Sequence, residues 1–491
     1  MFRYIRAALL PAVAGLALYV SFRFNWWVLA IAAVAIFYSS LLDKDVRNRL
    51  LVTFAFASAF FVPLLWWIST LGFDALLLLS GLCASGFLLI AINPIRSGNF
   101  WHKVEFATGW AVIELIRCQV PWGGFSWGLL GYSQNSGPLV NFARVGSATL
   151  VAFVTVLLAT IIAEMHTTRS KPQTFLALAL IALSYLFPNS KPTGDLRVGV
   201  VQGGVVSSLI PDYAKPSQVF LNHLQQTQDH ARLLRSADLV VWPENSVNLQ
   251  NDSDSARFQI QKVVDEIGKP FLIGEVRHTI EGHPQNIVSL WLPKTGESTS
   301  YIKNHLVPFG EYIPMRNLLA PHITRLNQIP ADFERGNGGG LIDVAGSKVG
   351  VAICFEVADQ GHLTQLVNTG AQILIAASNN ATYLGTNQPA QQFEISRFSA
   401  MAHQRSMVVA TTSGVSGVIS PSGQISQRIE DSGGHTFVAR VGLYDNKVRA
   451  DRWPLAQCLI IGLLSVLLAL RKLAVWRREG RINSSINLVN Q

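Results

Sequence analysis

Charge is scarce in this 491-residue sequence: Asp, Glu, Lys and Arg make up 14% and hydrophobic residues 49%, where soluble domains hold about 25% charged residues. That balance excludes an ordinary soluble globule as the whole chain and favours a membrane class. The formal net charge is +9, but the cations fall mostly between apolar runs instead of forming a patch, so no nucleic-acid partner is expected. Cysteine is scarce too. Cys83, Cys118 and Cys458 lie in or beside apolar segments, and Cys354 stands alone in the long polar region. No disulfide can form within that region, and no paired Cys or His spacing suits a structural zinc site. Neither a metal nor a cofactor is expected. Internal repeats and low-complexity tracts are absent, which excludes solenoids and linker-rich chains. A solitary cysteine is a candidate nucleophile, its plainer alternative being apolar filler.

What is present begins with apolar runs near the roughly 20 residues that cross a bilayer core as a helix. They are Tyr4 to Ser21, Trp26 to Leu42, Leu50 to Thr70, Asp74 to Ile92, Phe106 to Ile116, Leu139 to Met165, Thr174 to Phe187 and, after the polar region, Pro454 to Leu470. The fifth is short and continues into CQVPWGGFSWGLLGYSQ, expected to be an irregular interfacial loop. Arg3 and Arg6, Lys44, Arg47 and Arg49, Arg96 and Lys103, Arg169 and Lys171, and a tail with Arg471, Lys472, Arg477, Arg478 and Arg481 mark alternate connections. The other connections hold Arg23, Arg117 and Lys191. By the positive-inside rule both termini are cytoplasmic and the polar region faces the opposite side. No small-residue cleavage site follows the first run, so it is expected to be a retained helix. The division is residues 1–190 with about seven spans, a polar domain at 195–452, a last span at 454–471 and a tail at 472–491. Glu114 and Arg144 are the charges expected inside the spans, either paired with each other or lining the lateral approach to a site. A transporter would place more ionisable groups there.

Between about Leu196 and Arg452 the pattern changes. Runs such as LRVGVVQ, ADLVVWPE, PFLIGEV, IVSLWLP, STSYIK, KVGVAICFE, AQILIAAS and SMVVATTS alternate with helix-length segments such as SQVFLNHLQQTQDHARLLRS and QPAQQFEISRFSAMAHQRS. Near-continuous apolar strands between amphipathic helices indicate a layered α/β domain with covered sheets.

Three strands close on polar residues: Glu244 after Trp-Pro, Lys303 after STSYI, and Cys354 after KVGVAI. Sites in α/β sheets gather at carboxyl ends of strands. Each residue alone has a plainer reading, as a cap, an edge guard or filler. Together they form an acyl-transfer set. Cys354 attacks as thiolate, Glu244 in an apolar pocket takes its proton, and Lys303 with the N–H of Phe355 stabilises the oxyanion.

WPE with Glu244, YIKNHLVPFGEYIP with Lys303 and GVAICFE with Cys354 resemble the nitrilase, or carbon-nitrogen hydrolase, superfamily. Over nearly the full length, including the spans, the chain is similar to the apolipoprotein N-acyltransferase family, with VQGG near Gln202, WGLLGYSQ from Trp127 and TSGVSGVISPSG from Thr412 in support. The resemblance implies an αββα sandwich carried on a polytopic helical membrane bundle of about eight spans, with a Glu-Lys-Cys triad. It also implies a further active-site carboxylate at Glu311 and a functional acid at Glu356, while His305 is expected to hydrogen-bond its loop. The implied partners are a phospholipid donor, usually phosphatidylethanolamine, and a diacylglyceryl apolipoprotein acceptor at the bacterial inner membrane. Apolar stretches Ile313 to Leu319 and Ile323 to Ile329 are either lid arms or a packed helix pair.

The sequence departs from the family pattern where a Lys-Trp pair would follow the VQGN-like motif; here VQGGVVSSLIPDYAKPSQ offers only Tyr213. NNATYLG replaces a Trp-containing segment, and Ala402 replaces an acid. Two other functions compatible with the residues are a membrane-tethered amidase that passes the acyl group to water and a catalytically silent lipoprotein-binding paralogue.

Overall fold

The computed structural model describes residues 2–205, 216–248, 253–445 and 453–489; Tyr213 lies outside them. Helices stand at every expected apolar run: Phe2–Phe24, Trp27–Leu41, Val46–Leu64, Phe73–Ile92, Phe100–Arg117, Ala143–Thr168, Lys171–Ser184 and Trp453–Val489. Among the described residues, Phe73–Ile92, Pro138–Thr168 and Trp453–Ala474 are long and apolar enough to cross a membrane, while Ala8–Phe24, Trp27–Leu41 and Lys171–Ser184 are shorter apolar helices. Aromatic packing joins the bundle: Phe37 stacks on Phe56 at 4.0 Å, and Trp110 meets Phe87 edge-on at 4.8 Å.

Two sequence expectations are corrected here. The fifth helix starts at Phe100, not Phe106, because the Asn99 side chain caps it by accepting from the Trp101 N–H at 3.0 Å. Lys103 is therefore inside a helix, fully buried and paired with Glu164. Glu114 and Arg144 do not pair with each other. Glu114 accepts from Trp110 Nε1 and the Leu130 N–H, whereas Arg144 donates to the carbonyls of Phe187 and Pro188 and to Asn189 Oδ1. Finally, the last helix runs past Leu470 to Val489 and is fastened to the bundle by Arg471 donating to Glu105 Oε1 at 2.5 Å and Oε2 at 2.7 Å.

The polar region forms two six-stranded sheets. The first contains β1 (Gly194–Gln202), β2 (Leu239–Val247), β3 (Phe271–His278), β4 (Pro284–Leu292) and β5 (Gly296–Ile302). The second contains β6 (Leu341–Val344), β7 (Ser347–Ile353), β8 (Ile373–Ser378), β9 (Ser406–Thr411), β10 (Gly414–Ile419) and β11 (Ile425–Asp431), and the chain then returns to the first sheet as β12 (His435–Leu443). The orders are β12-β1-β2-β3-β4-β5 and β11-β10-β9-β8-β7-β6. Parallel pairing holds β1-β2-β3 and β7-β8-β9, and the outer strands are antiparallel.

The parallel strands are apolar almost throughout because both faces are covered; every residue of β8 and β9 is buried. Val198, Val241 and Leu272 face Val351, Ile375 and Val408 in the core between the sheets. Helices Pro216–Asp229 and Ser253–Ile267 cover the first sheet through Phe220, Ile260 and Val264. Gln360–Asn368 and Gln388–His403 cover the second through Leu363, Leu366 and Phe393. The layers are αββα. Helix Gln388–His403 also touches the bundle, with Phe398 edge-on to Tyr132 at 5.0 Å and Gln391 Oε1 accepting from Trp127 Nε1 at 2.7 Å. The segment Leu129–Phe142 under it is largely buried, so it is the preceding Gln119, Val120, Trp122 and Gly123 that keep the exposure expected of an interfacial loop.

Gln202, at the end of β1, fastens the sheets together. Its Oε1 accepts from Ser416 Oγ at 2.6 Å and Thr411 Oγ1 at 3.1 Å; its Nε2 donates to the carbonyls of Asp431 at 2.8 Å and Gly433 at 3.0 Å. Gln202→Leu strands these buried groups and is expected to cost about 2–4 kcal/mol. Thermal unfolding of the detergent-solubilised variant checks this: the midpoint falls by several degrees, and an unchanged midpoint would show that the strap carries no stability.

Candidate active site

The site forms where the carboxyl ends of β2, β5 and β7 meet. β2 kinks at its end: pairing with β3 shifts between Trp242 and Val247, and Asn245 takes φ +57°. Gly274 in β3 permits that kink, since a Cβ there would lie 2.1 Å from the Pro243 carbonyl oxygen. The kink turns Glu244 inward, where it is buried. Its Oε1 accepts from Asn286 Nδ2 at 2.7 Å and Lys303 Nζ at 3.2 Å, and its Oε2 from the Asn379 N–H at 2.7 Å. The apolar pocket expected for this carboxylate is instead a hydrogen-bonded one.

Lys303 follows β5 and is 1% exposed. Its ammonium donates to Glu311 Oε1 at 2.8 Å as well as to Glu244. Burial pulls its pKa down, but Glu244, Glu311 and Cys354 outweigh that and hold it well above the ordinary lysine value. Glu311 closes its own turn, Oε2 accepting from the Val307 N–H at 2.8 Å, and shares the Asn286 amide at 2.9 Å.

Cys354 immediately follows β7 with φ +52°, a left-handed conformation disfavoured for a side chain bearing Cβ. Gln392 Nε2 lies 3.6 Å from its Sγ. Glu356 holds this turn. Its Oε2 accepts from the Ile353 N–H at 2.8 Å, and its Oε1 from Tyr301 Oη at 2.8 Å and the N–H groups of Asn304 at 2.8 Å and His305 at 3.0 Å. One fully buried carboxylate thus binds the cysteine turn to the lysine loop. The Phe355 ring stacks near-parallel with Trp127 at 6.4 Å and Phe125 at 6.5 Å, on a bundle loop held by Arg117 Nη1 donating to both of those residues' carbonyls. His305 pairs with Asp359 at 2.7 Å, and that carboxylate raises the imidazole pKa.

The sequence-predicted residues Glu244, Lys303 and Glu311 thus share one hydrogen-bonded cluster; Cys354 lies within its field, and Glu356 and Phe355 brace the cysteine turn. Sequence reasoning missed Asn286, Asn379 and Gln392. Asn379 lies in the NNATYLG segment and could have been found there; Asn286 is a single amide within an apolar strand and gave no signal. In the stretches Ile313 to Leu319 and Ile323 to Ile329, Ile313 and Leu326 are buried, and the chain forms one short helix and one 3-10 turn, Thr324–Gln328. The helix Arg316–Leu319 buries no residue, and Met315, Leu318 and Ile323 are exposed.

Burial pushes the Cys354 thiol up to about 12; Glu244 and Glu311 add to this, and Lys303 opposes it. The thiol is therefore protonated at neutral pH. Iodoacetamide labelling of Cys354, followed by intact mass, should be slow at pH 7 and keep rising to pH 10. A plateau near pH 8 would mean that Lys303 outweighs burial.

Residues 14–161 match the apolipoprotein N-acyltransferase N-terminal domain, and residues 197–445 match the carbon-nitrogen hydrolase family. A relative from Mycolicibacterium smegmatis named apolipoprotein N-acyltransferase is 30% identical over 91% of this chain and 82% of its own. One of the same name from Pseudomonas putida is 29% identical over 83% and 85%. Among solved structures, Saccharomyces cerevisiae Nit3, a member of branch 10 of the nitrilase superfamily, covers 52% of this chain and 93% of its own, at 16% identity and a TM-score of 0.40. With its two-sheet carbon-nitrogen hydrolase domain joined to a helical bundle, the chain belongs to the apolipoprotein N-acyltransferase family.

Proposed function

We propose that this protein moves a fatty acyl chain from a membrane phospholipid, through a thioester on Cys354, to the α-amino group of the diacylglyceryl cysteine of an apolipoprotein. This is the final step of lipoprotein maturation. The observation that carries the reading is the Glu244, Lys303 and Glu311 cluster beside a cysteine whose turn is packed against the membrane bundle. Membership in the family supports it.

In the first half-reaction Glu244 takes the Cys354 proton as Sγ attacks the ester carbonyl. Lys303 Nζ and the Phe355 N–H receive the oxyanion. The carbon–oxygen bond then breaks, and the lysophospholipid leaves with the proton returned by Glu244. In the second half-reaction the amine attacks the thioester, its proton passes to Glu244, the carbon–sulfur bond breaks, and the thiol is restored as the amide forms. Phosphatidylethanolamine is the proposed donor. All eight helices are taken as spans, seven within residues 1–190 and the last at 454–471. The Lys and Arg distribution then supports a bacterial inner-membrane protein with cytoplasmic termini, the tail at 472–491 included, and with its 195–452 domain outside the cytoplasm.

Incubation with phosphatidylethanolamine and no acceptor should add one acyl chain, removed by neutral hydroxylamine and absent in Cys354→Ala, as read by intact mass. Adding a diacylglyceryl lipopeptide should transfer that chain to its amine; release of free fatty acid alone would favour the amidase-type reading. Lys303→Ala should lose turnover by about a hundredfold or more while remaining folded, and near-wild-type rates would overturn the oxyanion role.

Glu356→Gln preserves shape but loses the charge, and its amide turns an N–H toward either the Ile353 N–H or the three donors from Tyr301, Asn304 and His305. Turnover should fall about ten- to a hundredfold, with Cys354 still open to alkylation. Unchanged turnover would show that the turn does not need this carboxylate.

A further inference from the structure

We propose that Arg335, held over Tyr312 at the rim of the active site, binds the phosphodiester of the acyl-donor lipid and so selects phospholipids over phosphate-free esters; this rests on the acyl-transfer reading above. The segment carrying Arg335 lies directly along the catalytic loop. The Phe333 N–H donates to the Glu311 carbonyl at 2.8 Å, and the Gly336 N–H to the Lys303 carbonyl at 2.9 Å. Gly336 makes that approach possible, since a Cβ there would lie 2.2 Å from the Ile302 carbonyl oxygen. Arg335 is therefore fixed one residue from the backbone that holds Lys303.

Its guanidinium carbon stands 5.2 Å from the Tyr312 ring centroid. Stacking of this kind restrains the group while its planar N–H fork stays free for two phosphate oxygens. Neighbouring arginines are already engaged: Arg316 by Asp332 at 2.5 Å and Arg325 by Asp74 at 3.0 Å. Among the described residues, Arg335 forms no ion pair. The adjacent Glu334 accepts from Gln285 at 3.1 Å, and nearby His305 is held by Asp359. Tyr312 Oη donates to the Trp122 carbonyl at 3.3 Å, and the Trp122 ring meets Phe309 edge-on at 5.6 Å, both rings being part exposed. An exposed tryptophan beside an unpaired arginine suits the head-group depth of a bilayer.

Charge argues the same way. Glu244 and Glu311 outnumber Lys303 in the cluster, so a lipid phosphodiester brought to its edge needs a further cation. The diacylglyceryl acceptor carries no phosphate, which assigns Arg335 to the first half-reaction alone.

The test compares the rate of hydroxylamine-sensitive acylation of Cys354 by phosphatidylethanolamine and phosphatidylglycerol with that by p-nitrophenyl palmitate, in full-length wild type, Arg335→Ala and Arg335→Lys. The ratio of phospholipid to nitrophenyl-ester rate should fall about ten- to a hundredfold in Arg335→Ala, as expected for a lost charge-assisted bond, and less in Arg335→Lys. It should fall equally for the two phospholipids, because the phosphodiester is what they share. An unchanged ratio, including one in which both rates drop together, would overturn the assignment and leave Arg335 a role in loop packing. If wild type forms no adduct with either donor class, the thioester reading itself fails and this subsite with it.

Discussion

A buried ammonium shared by two carboxylates is the interaction on which the site depends. Lys303 is almost fully enclosed, and such a cation is tolerated only with its charge and donors matched. Glu244 and Glu311 match them, leaving one negative charge in excess. Deprotonating Cys354 outright would add a second negative charge to the same enclosed volume, consistent with a thiol held far above its usual range. Moving the proton from Cys354 to Glu244 avoids that cost, because the total charge of the cluster stays constant. In the proposed reaction the carbonyl oxygen then becomes negative just as Glu244 is neutralised, so the Lys303 pairing that stabilises the resting site would be free for the transition state.

Everything else holds those three elements in register. Asn286 bridges the two carboxylates from β4 and, through its carbonyl, accepts the Lys303 N–H at 2.9 Å. Glu356 binds the lysine loop to the cysteine turn, crossing from the first sheet to the second. Gln202 repeats that crossing at β1, β9 and β10. These are buried amides and carboxylates with several partners each, an arrangement that is costly when incomplete and specific when filled.

The central strands were legible because burial on both faces writes a near-continuous apolar run. Glu244, Lys303 and Cys354 were legible because each interrupts such a run at its carboxyl end. β11 was not, since ISQRIED is a polar edge with little burial, nor was β10, whose GVSGVI reads as a turn until its partners are known. The pairing of Glu114 with Arg144 failed for a related reason. Separation along the chain says nothing about which carbonyls an arginine meets, and Arg144 found three acceptors at 187–189. Lys103 was read as a loop cation because the apolar run begins after it, whereas the capping Asn99 sets the helix start.

The bundle reaches the candidate site at the residue after Cys354. Phe355 is stacked by Trp127 and Phe125, and Arg117 at the end of helix Phe100–Arg117 holds both of their carbonyls. The backbone N–H proposed to receive the oxyanion therefore belongs to a residue whose ring is placed by the membrane part of the chain. A soluble carbon-nitrogen hydrolase domain would have to position that residue from within itself. Here helix Gln388–His403 closes the same contact from the other side, lending Gln392 to the thiol and Gln391 to Trp127. Bundle and sandwich thus meet on the two residues beside the Cys354 sulfur, so the geometry of the cysteine turn depends on both.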